Sequence, residues 1–474
     1  MNSLNSTQLE ADYLVIGAGA TAMAFVDTLL GEQPEATVLM VDRLHHPGGH
    51  WNHAYPWVRV HQPSAWYGVA SRELASGEKD KVGLNAGLYS MASGAEVLAH
   101  FDKVMQQRFL PSGRVRWLPM TDYQAGPDGA HRLTSLVGGE VQTVRVRRKV
   151  VGGTHARTEV PATHAPRYRV APGVDCLPIN DLTRLGRPYA SYTVVGSGKT
   201  GIDACLWLLA HGVAPARTRW IMPRDAWFMD RANFQPGLEN FERNMGYSLN
   251  QFGAIIEAAT PADLFARLEA NGALLRLDPK VEPTTYRCGT VSRDELALLR
   301  GIADVVRLGR LRAIEPTHIV LDQGDLPANP DTLYVDCSAS AIQPLPGLPV
   351  FDGARINLFM VRFCQPLFSA ALIAFVESHV EGDAERNALC AVVPSPELPR
   401  DWMRMWAATL ANTARWRQHP ALNAWLMKCR LNGQAVMARG LSPDDSARIA
   451  LLQQTGAKAG EAAARLPALL AMPS

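Results

Sequence analysis

Two six-residue stretches carry patterns that could do chemistry, and both are built on glycine. Gly17-Ala18-Gly19-Ala20-Thr21-Ala22 follows an apolar run at 13–16, and Gly196-Ser197-Gly198-Lys199-Thr200-Gly201 follows an apolar run at 192–195. A strand, a glycine turn and a helix in that order make a cradle for a pyrophosphate. The first glycine permits the turn, the second lets backbone approach the phosphates, and a small residue at the last position allows close helix–strand packing. The free N–H groups and positive dipole end of the helix complete the anion site. Asp42 stands 20 residues beyond Ala22, after a second strand at 37–41, where its carboxylate can accept both hydroxyls of an adenosine ribose. Gly17, Gly19, Ala20, Ala22, Asp42 and the neighbouring Arg43 are the binding residues of this reading, which is an adenine dinucleotide.

The second stretch ends in a different chemistry. Its second strand, at 219–222, leads into Pro223-Arg224-Asp225. An arginine there can pair with a 2′-phosphate in bidentate fashion, whereas NAD sites usually carry an acid. Gly196, Gly198, Lys199, Thr200 and Gly201 therefore predict an NADPH cradle, with Arg224 the first and Arg219 the second candidate for the phosphate. Asp225 beside it keeps open the alternative that either arginine is a solvated surface charge. A P-loop is excluded, because Thr193 occupies the position five residues before Gly198 where that motif requires glycine.

The elements that must hold these cradles are legible in outline. The fingerprint helices should run to Leu30, with Gly31 ending the first, and to Leu209, with Gly212 ending the second. Ser93 to Glu96 forms a capping box before a scaffold helix, and Ser292 to Glu295 forms another. Strands are expected at 114–118, 141–151, 305–308, 318–322, 332–336 and 356–361, the later ones returning the chain to the first unit. The basic run 145–149 reads as a solvated strand face, 161–172 as a proline linker, and 228–250 as an irregular binding loop or lid. From Pro399 the chain is helical, with Trp402 and Trp406 on one face as core or domain contact.

Composition narrows the function classes. With 474 residues the chain can hold two or three domains, and 47 basic against 45 acidic residues leave +2, so no nucleic acid or membrane surface is implied. No apolar run reaches membrane-spanning length, and residues 1–10 lack a signal-peptide layout. Seven scattered cysteines without a Cys-x-x-Cys step predict reduced thiols in a cytoplasm and argue against a disulfide reductase. The histidines at 45, 46, 50 and 53 complete no metal-ligand spacing, so no metal is expected.

After Asp42 comes Gly48-Gly49-His50-Trp51, where two glycines would let backbone approach a flat ring system with Trp51 packed beside it. Gly-x-Gly-x-x-Ala, the acid after the second strand and Gly-Gly-x-Trp together resemble the class B flavoprotein monooxygenases, including the Baeyer–Villiger enzymes. Residues 55–63, Tyr-Pro-Trp-Val-Arg-Val-His-Gln-Pro, resemble a segment of the plant auxin-forming members. The resemblance implies FAD in the first cradle, contacted by Gly49, His50 and Trp51, and places His61, Gln62 and Ser64 beside the flavin. His61 and Arg59 are the catalytic candidates, the alternative for His61 being a core histidine. Cys364-Gln365-Pro366 opens a helix whose N-terminus, by the same resemblance, faces the flavin pyrimidine.

The implied fold is α/β: two Rossmann-like dinucleotide-binding domains, an FAD domain (1–187 and 310–384) with an inserted NADPH domain (188–309), plus a helical C-terminal region (385–474). The implied reaction passes hydride from NADPH to FAD, and a C4a-(hydro)peroxyflavin formed with dioxygen then oxygenates a small organic metabolite by hydroxylation, N-oxidation or Baeyer–Villiger insertion. Two departures bear on the substrate and on the oxygenation step. Residues 171–177 lack the histidine of the family's Phe-x-Gly-x-x-x-His signature, and 334–340 replaces its Ala-Thr-Gly motif. A two-electron oxidoreductase or oxidase without oxygen insertion, and a non-enzymatic redox sensor, remain as alternatives.

Overall fold

The computed structural model describes residues 8–154, 158–339 and 347–473. The apolar run at 13–16 becomes the centre of a sheet because it is covered on both faces, as parallel strands require. Strand Leu9–Ile16 lies between Val38–Val41 and Val141–Gly152, with Val115–Leu118 beyond the former and Arg355–Asn357 beyond the latter, all parallel. Ile16 is in register with both Val41 and Gly152, so Gly17, Asp42 and Gly153 emerge at one sheet end. Helix Ala20–Glu32 and helix Pro366–His379 cover one face; the latter buries Leu367 through Glu377 and is apolar all round, as a helix enclosed by protein must be.

A second parallel sheet enters the sequence between neighbours of the first. Its order is Cys176–Pro178, Thr332–Asp336, Ser191–Val195, Thr218–Ile221, Asp304–Val306. Val195 is in register with Ile221 and Asp336, which gathers Gly196, Met222 and Cys337 at its C-terminal end. The two-unit α/β architecture expected from the sequence is therefore present. Helices Pro399–Gln418, Pro420–Lys428, Gly433–Arg439 and Ser446–Ala471 follow. Among the described residues no helix is long and apolar enough to cross a membrane.

Several expectations need correction. Strands Asp304–Val306 and Thr332–Asp336 join the second sheet, and His318–Leu321 joins a small sheet with Arg169–Val170, Leu311–Ile314 and Gly324–Pro327; the chain returns to the first sheet through Phe351–Asp352 and Arg355–Asn357. Parallel pairing is non-local, so strand spacing alone did not assign membership. Gly31 lies inside its helix, which continues to Glu32 because Gln33 N–H still reaches Leu29 O. Residues 228–250 are irregular only in their middle, where two short 3-10 turns, Arg231–Asn233 and Leu238–Asn240, link strand Ala226–Asp230 to helix Phe241–Glu257, whose face of Phe241, Met245, Phe252 and Ile255 is buried. Its many Asn, Gln and Arg residues hid that period. Lys149 is 8% exposed and pairs with Glu377 and Asp383 at 3.3 and 3.1 Å, so the basic run is solvated only in part. Trp402 is buried against Phe265 in a core shared with Trp227 and belongs to packing, as read. Cys288 and Cys364 are joined by a disulfide, against the expectation of seven reduced thiols; partners 76 residues apart leave no local spacing to read.

Candidate functional site

Both fingerprints divide their glycines into packing and open positions. At the first, Gly17 has φ +91° and a Cβ there would stand 2.9 Å from the Thr154 side chain. Ala22 meets Gly153, where an added Cβ would lie 2.9 Å away, so the last small residue packs against a glycine that the motif itself does not contain. Gly19, by contrast, would point a Cβ only at Gly49 Cα, 3.8 Å away, and Gly49 itself is left-handed. At the second fingerprint, a Cβ on Gly196 would reach Cys337 O at 2.8 Å and one on Gly201 would reach Gly196 O at 2.1 Å, while Gly198 has nothing within 4 Å. Gly198 thus presents bare backbone to open space, and Gly19 is left uncrowded with only an ordinary contact to Gly49, at the N-termini of helices Lys199–Ala210 and Ala20–Glu32. This is the surface a pyrophosphate needs, so the residues present fit two dinucleotides.

Asp42 is tied into the first cradle, accepting from Ala18 N–H at 2.6 Å and from Leu44 N–H at 2.8 Å. A carboxylate offers about four lone-pair directions, so acceptor capacity remains for ribose hydroxyls. Arg43 turns outward and pairs with Asp122 at 2.8 Å. In the tetrad, Trp51 is buried and donates to Tyr67 Oη at 2.8 Å, with His50 stacked on it at 5.4 Å. Ser64 donates to Ser90 O at 2.8 Å, and Gln62 beside it is half-buried. Gln365, exposed, is the N-cap residue of Pro366–His379.

The segment after the tetrad crosses onto the second unit. Trp57 stacks on Trp207 at 4.9 Å, Asn180 donates to His53 O at 3.0 Å, and Tyr55 Oη donates to Asp203. Lys199 pairs with that same Asp203, so a fingerprint lysine and a residue next to the tetrad share one carboxylate. His61 sits where the units meet. Desolvation lowers its pKa well below the ordinary value, and the Lys199 and Arg231 cations push in the same direction, so its imidazole is neutral near pH 7. Arg231, 1% exposed, fixes this point: it donates to His61 O at 3.3 Å, to Thr290 O at 3.0 Å, to Glu295 at 2.8 Å and to Asn85. Arg59, in contrast, is exposed and donates to Met91 O at 2.9 Å, which takes its guanidinium out of this crevice.

The phosphate candidates are both ion-paired. Arg224 donates to Glu397 at 2.7 Å, a residue of the C-terminal region that also binds Arg287. Arg219 is held by Asp304 at 2.8 Å and by Pro327 O. Asp225, beside Arg224, is clamped by Arg307 at 2.7 and 3.0 Å and so does not pair with it. Thr200 is half-exposed in the first turn of its helix. Arg362, just before Gln365, lies over the Phe368 ring at 4.0 Å and donates to Asn432 at 3.0 Å; burial pushes it down to about 10, and it makes no ion pair among the described residues. Sequence reasoning missed Gly153, Tyr55 with Asp203, Arg231 and Arg362. Of these only Tyr55, inside the 55–63 segment, carried any sequence signal.

No family model matches the sequence. An uncharacterised protein of Mycobacterium tuberculosis is 48% identical over 464 residues, covering 97% of this chain and 84% of the relative, and one of Mycobacterium bovis matches to the same extent. Among solved structures, polycyclic ketone monooxygenase from the thermophilic fungus Thermothelomyces thermophila superposes with a TM-score of 0.51 at 13% identity, over 99% of this chain and 88% of that one. At such identity the likeness speaks for fold. The chain belongs to the family of these mycobacterial proteins, and its fold is that of the class B flavoprotein monooxygenases.

Proposed function

We propose that the protein is an NADPH-dependent flavin monooxygenase acting on a small organic metabolite. The observation that carries the reading is the pair of cradles, each with one uncrowded glycine, Gly19 and Gly198, on two units joined through Tyr55, Asp203 and Lys199. FAD would lie on Gly17, Gly19 and Asp42 with Gly49 and Trp51 beside the ring; NADPH would lie on Gly196, Gly198, Lys199 and Gly201, with its 2′-phosphate taking Arg224 from Glu397. When bound, these cofactors supply hydride transfer and activation of dioxygen.

The chain's own contribution is position and charge. Asp203 holds Lys199 toward His61, while Arg231 holds the His61 backbone, so the imidazole has one place between the units. Its neutral state lets it accept a proton there or donate one. Arg362 and the N-terminus of Pro366–His379 put positive potential where, by the family resemblance, negative charge on a reduced ring would develop.

Purified protein titrated with NADPH in the absence of dioxygen, then exposed to it, tests the reading. Bound flavin that bleaches with NADPH and reoxidises with less than one peroxide released per NADPH supports it. Protein that retains no flavin and takes none up refutes it. Full recovery of NADPH as peroxide, at every substrate tried, would favour an oxidase instead.

A further inference from the structure

We propose that Cys288 and Cys364 are a reversible thiol–disulfide site, which straps the second unit to the segment that caps helix Pro366–His379. The inference does not depend on either cofactor. Strand Thr285–Val291 pairs in parallel with Ala226–Asp230, but the register breaks between Tyr286, opposite Trp227, and Gly289, opposite Phe228. Arg287 and Cys288 are the extra residues of a bulge, a device that re-aims a side chain. Cys288 is left-handed there, at φ 54°, and Cys364, next to the N-cap residue Gln365, is left-handed at φ 47°. The only other non-glycine residue of positive φ among the described residues is Met120. Side chains with a Cβ resist this conformation, and such strain persists only where the surroundings impose it. The cross-link joins these two left-handed residues, with Cα atoms 6.3 Å apart.

Its surroundings separate this pair from the other five cysteines. Cys205, Cys337, Cys390 and Cys429 are buried and Cys176 is half-buried; burial raises all five thiols, that of Cys176 to about 11. They are poor nucleophiles. Cys288 and Cys364 are half-buried at a seam between elements, so a small thiol can reach them. A dithiol reductant would deliver two electrons and two protons, breaking the S–S bond to two thiols while closing to its own disulfide. A hydroperoxide would reverse this, taking two electrons and two protons from the thiols and leaving alcohol and water. Non-covalent ties remain in the reduced state: Phe363 stacks on Trp406 at 4.9 Å and Tyr286 N–H donates to Glu397 O at 3.0 Å. Reduction therefore loosens the bulge and the helix cap without separating the units.

The full-length protein, purified without reductant and denatured in iodoacetamide, should take up five alkyl groups, and seven after dithiothreitol, with a cross-linked peptide joining 288 to 364. Hydrogen exchange on the native protein should then show residues 285–291 and 362–365 exchanging at least tenfold faster after dithiothreitol, the fingerprint helices being unaffected. Cys288→Ser should show the fast rate in both conditions. Seven alkyl groups without reductant, resistance of the native bond to dithiothreitol, or identical exchange in both states would each overturn the proposal.

Discussion

Gly198 and Gly201 belong to one motif yet should fail in opposite ways when replaced by alanine. At Gly198 the backbone is extended, with φ −82° and ψ −176°, and a Cβ meets nothing within 4 Å. Reduced freedom of the unfolded chain stabilises by about 0.4–1 kcal/mol, and the poorer N-cap costs a similar amount, so folding stability should change by less than about 1 kcal/mol. The nucleotide meets the new methyl group instead. Displacing a pyrophosphate from one charge-assisted backbone hydrogen bond costs about 1.5–3 kcal/mol, which is on the order of ten- to 150-fold in Kd for NADPH. At Gly201 a Cβ would stand 2.1 Å from Gly196 O and 3.0 Å from Gly196 C, both backbone atoms that cannot swing away. Overpacking of this kind costs about 1–3 kcal/mol, enough to lower Tm by several degrees. Urea unfolding of both variants, paired with NADPH titration monitored by flavin bleaching, separates the effects. Gly198→Ala that binds NADPH as tightly as the parent, or that is as destabilised as Gly201→Ala, would refute the division into open and packing glycines.

Other perturbations follow from the same geometry. Asp42→Ala unpairs Ala18 N–H and Leu44 N–H at the first cradle, so the flavin-to-protein absorbance ratio after purification should fall at least severalfold while NADP affinity is kept. Arg224→Ala should raise the KM for NADPH about tenfold and leave that for NADH unchanged, whereas Glu397→Gln, removing the carboxylate that competes for Arg224, should lower the KM for NADPH; unchanged NADPH-to-NADH preference in both would move the phosphate site elsewhere. His100, buried with Nε2 accepting from Val69 N–H, has its pKa lowered to about 4 from 6.5, chiefly by burial and then by Arg430. Because its folded pKa is depressed, its stabilisation is complete above about pH 6.5 and is lost as pH falls to about 4, amounting to roughly 3 kcal/mol. Urea unfolding at pH 7 and pH 4.5 should show this loss in the parent and a smaller one in His100→Gln; equal losses would rule the residue out.

The parts legible in the sequence were those whose information is local. A glycine turn, a capping serine with its glutamate three residues on, or an acid after a strand each act on neighbours along the chain. Accordingly helices Gly94–Val104 and Arg293–Leu299 begin at the capping boxes read from Ser93 and Ser292, and Asp42 sits at its cradle. Helix Phe241–Glu257 was missed because its buried face includes Asn244, Ser248 and Gln251, which break the apolar period without breaking the helix.

By itself, then, the sequence determined two strand–glycine turn–helix units in one chain, their order, and the acid that ties back onto the first turn. Only the tertiary structure decided what lies between them. Parallel strands pair across long separations, so sheet membership of Asp304–Val306 and Thr332–Asp336 is set by packing and not by spacing. The same holds for the side chains at the junction. Tyr55 meets Asp203 across 148 residues, Arg231 reaches His61 across 170, and Cys288 closes on Cys364 across 76. Hydrogen bonds and disulfides act over a few ångströms of space whatever the length of chain between their ends, and that distance exists only once both sheets have formed.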